Sequence, residues 1–118
     1  MHYLIKSFIF ALRGIWLLLR TEINARIHLL ATILVVFAGF LFNITPFEWA
    51  ILVIFITMVW IAEGMNTAIE IISNRINPDY DDLIKKAKDV SAGAVLIAAI
   101  GAVIIGMIIF FPYLSNLL

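Results

Sequence analysis

From Val90 to Phe111 no side chain carries a charge. About 20 consecutive apolar residues, at about 1.5 Å each, cross the hydrocarbon core of a bilayer. Water cannot satisfy backbone N–H and C=O groups inside that core, so such a run folds as a helix. The rest of the chain agrees: 64% of its 118 residues are hydrophobic and its mean hydropathy is +1.12. A soluble domain of this size has too little interior to hide that surface. The chain contains no cysteine, which removes disulfides, thiolate catalysis and Cys-ligated metals.

Lys6, Arg13 and Arg20 interrupt an apolar N-terminal stretch at intervals of seven and form one basic stripe. Phe8, Ile15 and Leu19 lie on the other side. This pattern predicts an amphipathic helix on the membrane surface over about residues 2–20, and it does not resemble a cleaved signal peptide. A polar step through Glu22, Asn24, Arg26 and His28 leads to a first span over about 27–43. Thr45 is expected to cap a second span over about 47–73, with Pro46 at the first helical position and Glu48 favouring the helix N-terminus. Asn77, Pro78 and Asp79 predict a turn. Asp79, Asp81 or Asp82 is then expected to cap a short helix leading into Lys85 to Asp89, and a third span follows over about 90–111, which Pro112 ends; capping that span is the plain structural reading of Asp89. Ala94, Ala98, Ala102 and Gly106 recur every four residues and let another helix approach closely.

All eight basic residues fall in the N-terminal segment or between the second and third spans. The positive-inside rule therefore predicts a cytoplasmic N-terminus and 74–89 loop, with the C-terminus outside.

The second span carries Glu63, Asn66 and Glu70 at i, i+3 and i+7, on one helical face. Ionisable groups at membrane depth are costly and are functional by default. Under the expected topology Glu22, Glu63, Asn66, Glu70, Lys88 and Asp89 gather near the cytoplasmic interface, Glu63 deepest. Hard oxygen donors suit Mg²⁺ together with phosphates. A neighbouring lysine suits a polyphosphate, and a deeper carboxylate suits a proton from a lipid hydroxyl. These are the parts of phosphoryl transfer, although neither a P-loop nor a protein-kinase glycine loop is present. The competing readings are an interhelical polar clamp that only specifies assembly, and a proton-coupled small-molecule exporter using Glu63 alone. His28 reads as a hydrogen-bonded or interfacial side chain, and Trp60 as packing.

Glu63-Gly64-Met65-Asn66-Thr67-Ala68-Ile69-Glu70, followed by Arg75, Asp79-Tyr80 and Ala87-Lys88-Asp89, resembles the prokaryotic diacylglycerol kinase family, which includes undecaprenol kinases. Arg13-Gly14 and the Glu22 to His28 segment match the same pattern. The resemblance implies a homotrimer of three-span subunits, each with a surface helix, and active sites shared between neighbours. It implies ATP-Mg²⁺ as donor and a membrane lipid alcohol as acceptor, in a bacterial plasma membrane. By position Glu63 resembles the general base, and Glu22 and Glu70 the metal carboxylates. Asn66 resembles an orienting partner, and Lys88 and Asp89 nucleotide contacts, with Asp79, Tyr80 and Asp81 also near the nucleotide. Phe10-Ala11 and His28 depart from the diacylglycerol branch. They tilt the expected acceptor towards undecaprenol, with diacylglycerol as the alternative.

Overall fold

The computed structural model describes residues 1–76 and 82–118. They form four helices: α1 (His2–Thr21), α2 (Ile23–Leu41), α3 (Pro46–Ile76) and α4 (Asp82–Leu117). The protein is all-α, and each helix is long and apolar enough to cross a membrane. The predicted turn at 77–79 and the candidate residues Asp79, Tyr80 and Asp81 lie outside the described residues.

Glu22 alone separates α1 from α2, in an extended conformation. The Arg26 guanidinium crosses this joint and donates to the Arg20 carbonyl at 3.3 Å, occupying an acceptor that the end of α1 leaves open. α2 begins at Ile23, four residues earlier than the expected span, because Ala25 is fully buried and anchors the polar step as helix.

The turn between α2 and α3 follows from its sequence. Asn43 takes a left-handed φ of 52°, which asparagine tolerates better than most residues. The Ile44 N–H then reaches the Gly39 carbonyl and the Asn43 N–H the Phe40 carbonyl, a Schellman closure. This ends α2 at Leu41, two residues short of the expected limit. Gly39 also lets the chain pass close to the Trp49 indole, whose ring lies 2.5 Å from where a Cβ would sit. Thr45 Oγ1 accepts the Glu48 N–H at 3.2 Å and Glu48 Oε1 accepts the Thr45 N–H at 2.9 Å. This capping box starts α3 at Pro46, as the sequence predicts.

α3 and α4 run antiparallel along their length and form the frame of the molecule. Ile44, Leu52 and Ile109 make a small core near the α2–α3 turn, with Trp49, Phe110 and Tyr113 against it. Most other large apolar side chains are exposed. That distribution is unfavourable in water and expected against lipid.

Three expectations about α4 are corrected. There is no separate short helix before the third span; one helix runs from Asp82 to Leu117. The pairs Lys86–Asp82 (3.2 Å) and Lys85–Asp89 (2.8 Å) are spaced i, i+4 and support the polar turns as helix. Asp89 is therefore inside the helix and caps nothing. Nor does Pro112 end the helix. A proline removes one backbone hydrogen bond and crowds the preceding turn, yet here the next residue is anchored. The Tyr113 hydroxyl donates to Glu48 Oε1, and the Phe42 ring packs against Tyr113 and Phe110. We expect Tyr113→Phe to fray the last turns of α4, read as faster hydrogen exchange at residues 113–117 with little change near Ser91. Unchanged exchange at 113–117 would mean that packing alone carries the helix through Pro112.

Candidate functional site

At the other end of the α3–α4 pair, a line of polar side chains climbs out of the apolar interior. Glu63 is deepest, at 1% exposure. Asn66 is buried one turn on, Glu70 is half-buried, and Asn74 is exposed. The spacing that put them on one face of a helix in the sequence puts them along one seam in the fold.

Two α4 residues meet this line. The Ser91 hydroxyl donates to Asn66 Oδ1 at 2.6 Å, with the Lys88 carbonyl a second acceptor at 3.0 Å. Asn66 Nδ2–H in turn donates to Glu70 Oε1 at 3.3 Å. The Asn66 amide is thus clamped between a neutral donor on one helix and a carboxylate on its own. Further out, the Lys88 ammonium donates to Asn74 Oδ1 at 2.9 Å. Removing the amide in Asn66→Ala leaves the buried Ser91 hydroxyl with the Lys88 carbonyl as its acceptor and frees Glu70. We expect a loss of about 1–3 kcal/mol of stability, measured by thermal or chemical unfolding in detergent; Ser91→Ala combined with Asn66→Ala should recover part of it.

Glu63 differs from its neighbours. Among the described residues, neither of its carboxylate oxygens, nor the hydroxyl of the buried Thr67 one turn away, has a hydrogen-bond partner. Buried polar atoms in native proteins are nearly always paired, so orphaned ones call for a functional explanation. A side chain able to carry the opposite charge, His28 on α2, stands with its Nε2 3.4 Å from Glu63 Oε2. The carboxylates of Glu22 and Glu70 also lie within electrostatic range of Glu63. The His28 ring meets the Trp60 ring edge-on, with centroids 6.3 Å apart. Trp60 Nε1–H donates to Thr32 Oγ1 at 3.0 Å, and that hydroxyl donates to the His28 carbonyl at 2.7 Å.

An apolar groove of about 780 Å³ runs between α2, α3 and α4 from this point. Thr32, Val35, Phe55, Val59 and Ala102 line it, and His28 stands at its polar end.

The fold therefore brings Glu22, Glu63, Asn66, Glu70 and Lys88 to one end of the helices. Asp89 is also there but is exposed and paired with Lys85. Among the described residues no three acidic, histidine or cysteine side chains form a metal-holding cluster. The sequence reading did not assign Ser91, Asn74 or Thr67, and read His28 and Trp60 as background. Ser91 had a signal, as the only polar side chain of the 90–111 run, and Asn74 extends the Glu70 face by one turn. The partners of His28 and Trp60 are across helices and leave no sequence signal. Along the Ala94–Gly106 stripe, Ala94 is exposed, whereas Ala102 and Gly106 are half-buried and line the groove.

Comparison with known proteins identifies the family. The family model for prokaryotic diacylglycerol kinase matches residues 9–110. The chain is 42% identical to the undecaprenol kinase of Bacillus subtilis over 92% of its own length and 89% of that protein's. It is 37% identical to the diacylglycerol kinase of Synechocystis sp., over 98% of this chain and 66% of that one. To the diacylglycerol kinase of Escherichia coli K12 it is 34% identical, over 79% of this chain and 74% of the other. With its polar seam inside a bundle of membrane-length helices and a match over most of its sequence, the chain belongs to the prokaryotic diacylglycerol kinase family and is a membrane lipid kinase.

Proposed function

We propose that the protein transfers the γ-phosphoryl group of ATP to the hydroxyl of undecaprenol at the cytoplasmic face of a bacterial plasma membrane. The observation that carries this reading is Glu63: a buried carboxylate whose oxygens have no hydrogen-bond partner among the described residues, next to the His28 that lines an apolar groove. The groove suits a hydrocarbon tail, and the carboxylate suits the hydroxyl at its head.

In this mechanism residues 1–118 act as one lipid-kinase domain. Glu63 takes the proton as the lipid O–H bond breaks. The oxygen's lone pair forms the bond to the γ-phosphorus, the bridging P–O bond breaks, and ADP departs with that electron pair. Lys88 lies against the phosphates, and Asp89, Asp79, Tyr80 and Asp81 against the remainder of the nucleotide. Asn66, held by Ser91, keeps Glu70 oriented. Glu22 and Glu70 would hold Mg²⁺. The donor set fits, since this ion binds through one or two carboxylates plus phosphate oxygens and does not need an all-protein cage. When bound, it supplies neutralisation of phosphate charge.

The membrane arrangement belongs to the same proposal. α2, α3 and α4 span, and α1 lies on the surface; α1 buries no side chain, and the molecule's second dimension, 42 Å, is about twice its third, 21 Å. The N-terminus and the 74–89 loop are cytoplasmic, in keeping with the basic residues at that end. Three copies assemble with shared sites, and the exposed Ala94 end of the small-residue stripe is suited to such a contact.

Undecaprenol is preferred because the undecaprenol kinase relative has higher identity than the diacylglycerol kinases compared with it. The test is transfer of radiolabelled phosphate from ATP by the purified protein in mixed micelles. Faster labelling of undecaprenol than of diacylglycerol is expected. The reverse order would assign diacylglycerol as acceptor, and labelling of neither would remove the kinase mechanism.

A further inference from the structure

We propose that His28 is a positioning residue for phosphoryl transfer: as the imidazolium, it holds the Glu63 carboxylate ionised and turned for proton removal. This rests on the reading of Glu63 as the base. A buried carboxylate is stabilised in its charged form only by a cation or by donated hydrogen bonds. Glu63 has no hydrogen-bond donor among the described residues, and its other charged neighbours, Glu22 at the α1–α2 joint and Glu70 on α3, repel a further negative charge. On α4 the nearest cation of the seam, Lys88, is engaged with Asn74 further out. Among the described residues, His28 Nε2 at 3.4 Å is therefore the basic group that faces Glu63.

The imidazole is also held in place. Its helix position is tied by the Thr32 hydroxyl to the Trp60 indole, and the Trp60 ring edge abuts it. Trp60 and Glu63 are three residues apart on α3 and so present the same face to His28. The ring packs against α3, with its side chain 19% exposed. Such a pair is set for orientation as well as charge. The groove begins at the same side chain, so the hydroxyl of a lipid lying in it arrives beside the pair.

The experiment measures turnover against pH for the full-length protein in mixed micelles, comparing wild type, His28→Gln and His28→Lys. In His28→Gln, kcat at neutral pH should fall about tenfold or more while KM for ATP stays within about twofold. The acid side of the rate profile should move up by about one pH unit or more. His28→Lys should recover part of that shift, because it returns the cation. A His28→Gln profile that superimposes on wild type, or a lower kcat with an unmoved acid limb, overturns the inference. A second measurement covers the case in which these variants do not assemble. The chain has two histidines, so in His2→Gln protein the His28 ring signals are resolved by NMR. They should shift when Glu63→Gln is added, and unmoved signals overturn the pairing. Failure of the underlying reading looks different: Glu63→Gln would then still phosphorylate lipid, whatever His28 does.

Discussion

Glu63→Gln should reduce lipid phosphorylation by about a hundredfold to ten-thousandfold, the range over which a positioned general base contributes, without loss of the folded protein. The expectation for folding is as specific as that for activity. Glu63 is fully buried and its oxygens accept no hydrogen bond from the described residues, so glutamine of nearly the same volume fills the same space and removes a charge that is costly at membrane depth. The oligomer should remain assembled in detergent. The two readouts separate the base from an assembly clamp. A clamp residue would lower stability or change the oligomer when neutralised, whereas a base would lose only turnover. Retained phosphorylation would count against Glu63 as base.

The second large effect is expected at Glu70. Its carboxylate accepts the Asn66 amide through one oxygen, and glutamine keeps an acceptor there. Glu70→Gln should thus preserve the Ser91–Asn66 clamp and the fold, while weakening ATP-Mg²⁺ binding by about tenfold or more through the lost charge. The measurement is KM for ATP at limiting and saturating Mg²⁺. A defect that high Mg²⁺ partly relieves is expected, and unchanged binding at limiting Mg²⁺ would take Glu70 out of the metal site. Asn66→Ala should reproduce part of the catalytic loss for a different reason, since it leaves the Glu70 charge but releases its orientation. Comparing the two distinguishes charge from positioning.

Much of this molecule was legible in its sequence because lipid imposes strong local rules. Uninterrupted apolar runs fold as helices wherever water is absent, and the i, i+3, i+7 spacing of Glu63, Asn66 and Glu70 requires a common face. Thr45, Pro46 and Glu48 specify a helix start by hydrogen bonds that close within four residues. In each case the determining contacts are short in sequence. The end of α4 was misread because Pro112 was judged by its own backbone cost alone. The compensation comes from Glu48, on α3, and no local rule reaches that far.

The same distinction applies to the stretch around Glu63. Its sequence determined that two glutamates and an asparagine would line one helix inside a membrane protein, and that phosphoryl transfer was a chemistry they suit. Only the tertiary structure decided what each of them faces. Asn66 meets Ser91, Lys88 meets Asn74, and Glu63 meets His28 with both oxygens otherwise unpartnered. These contacts join side chains 14 to 35 positions apart. They depend on how α2 and α4 pack against α3, which is set by the sum of many apolar contacts and not by any residue's own preference.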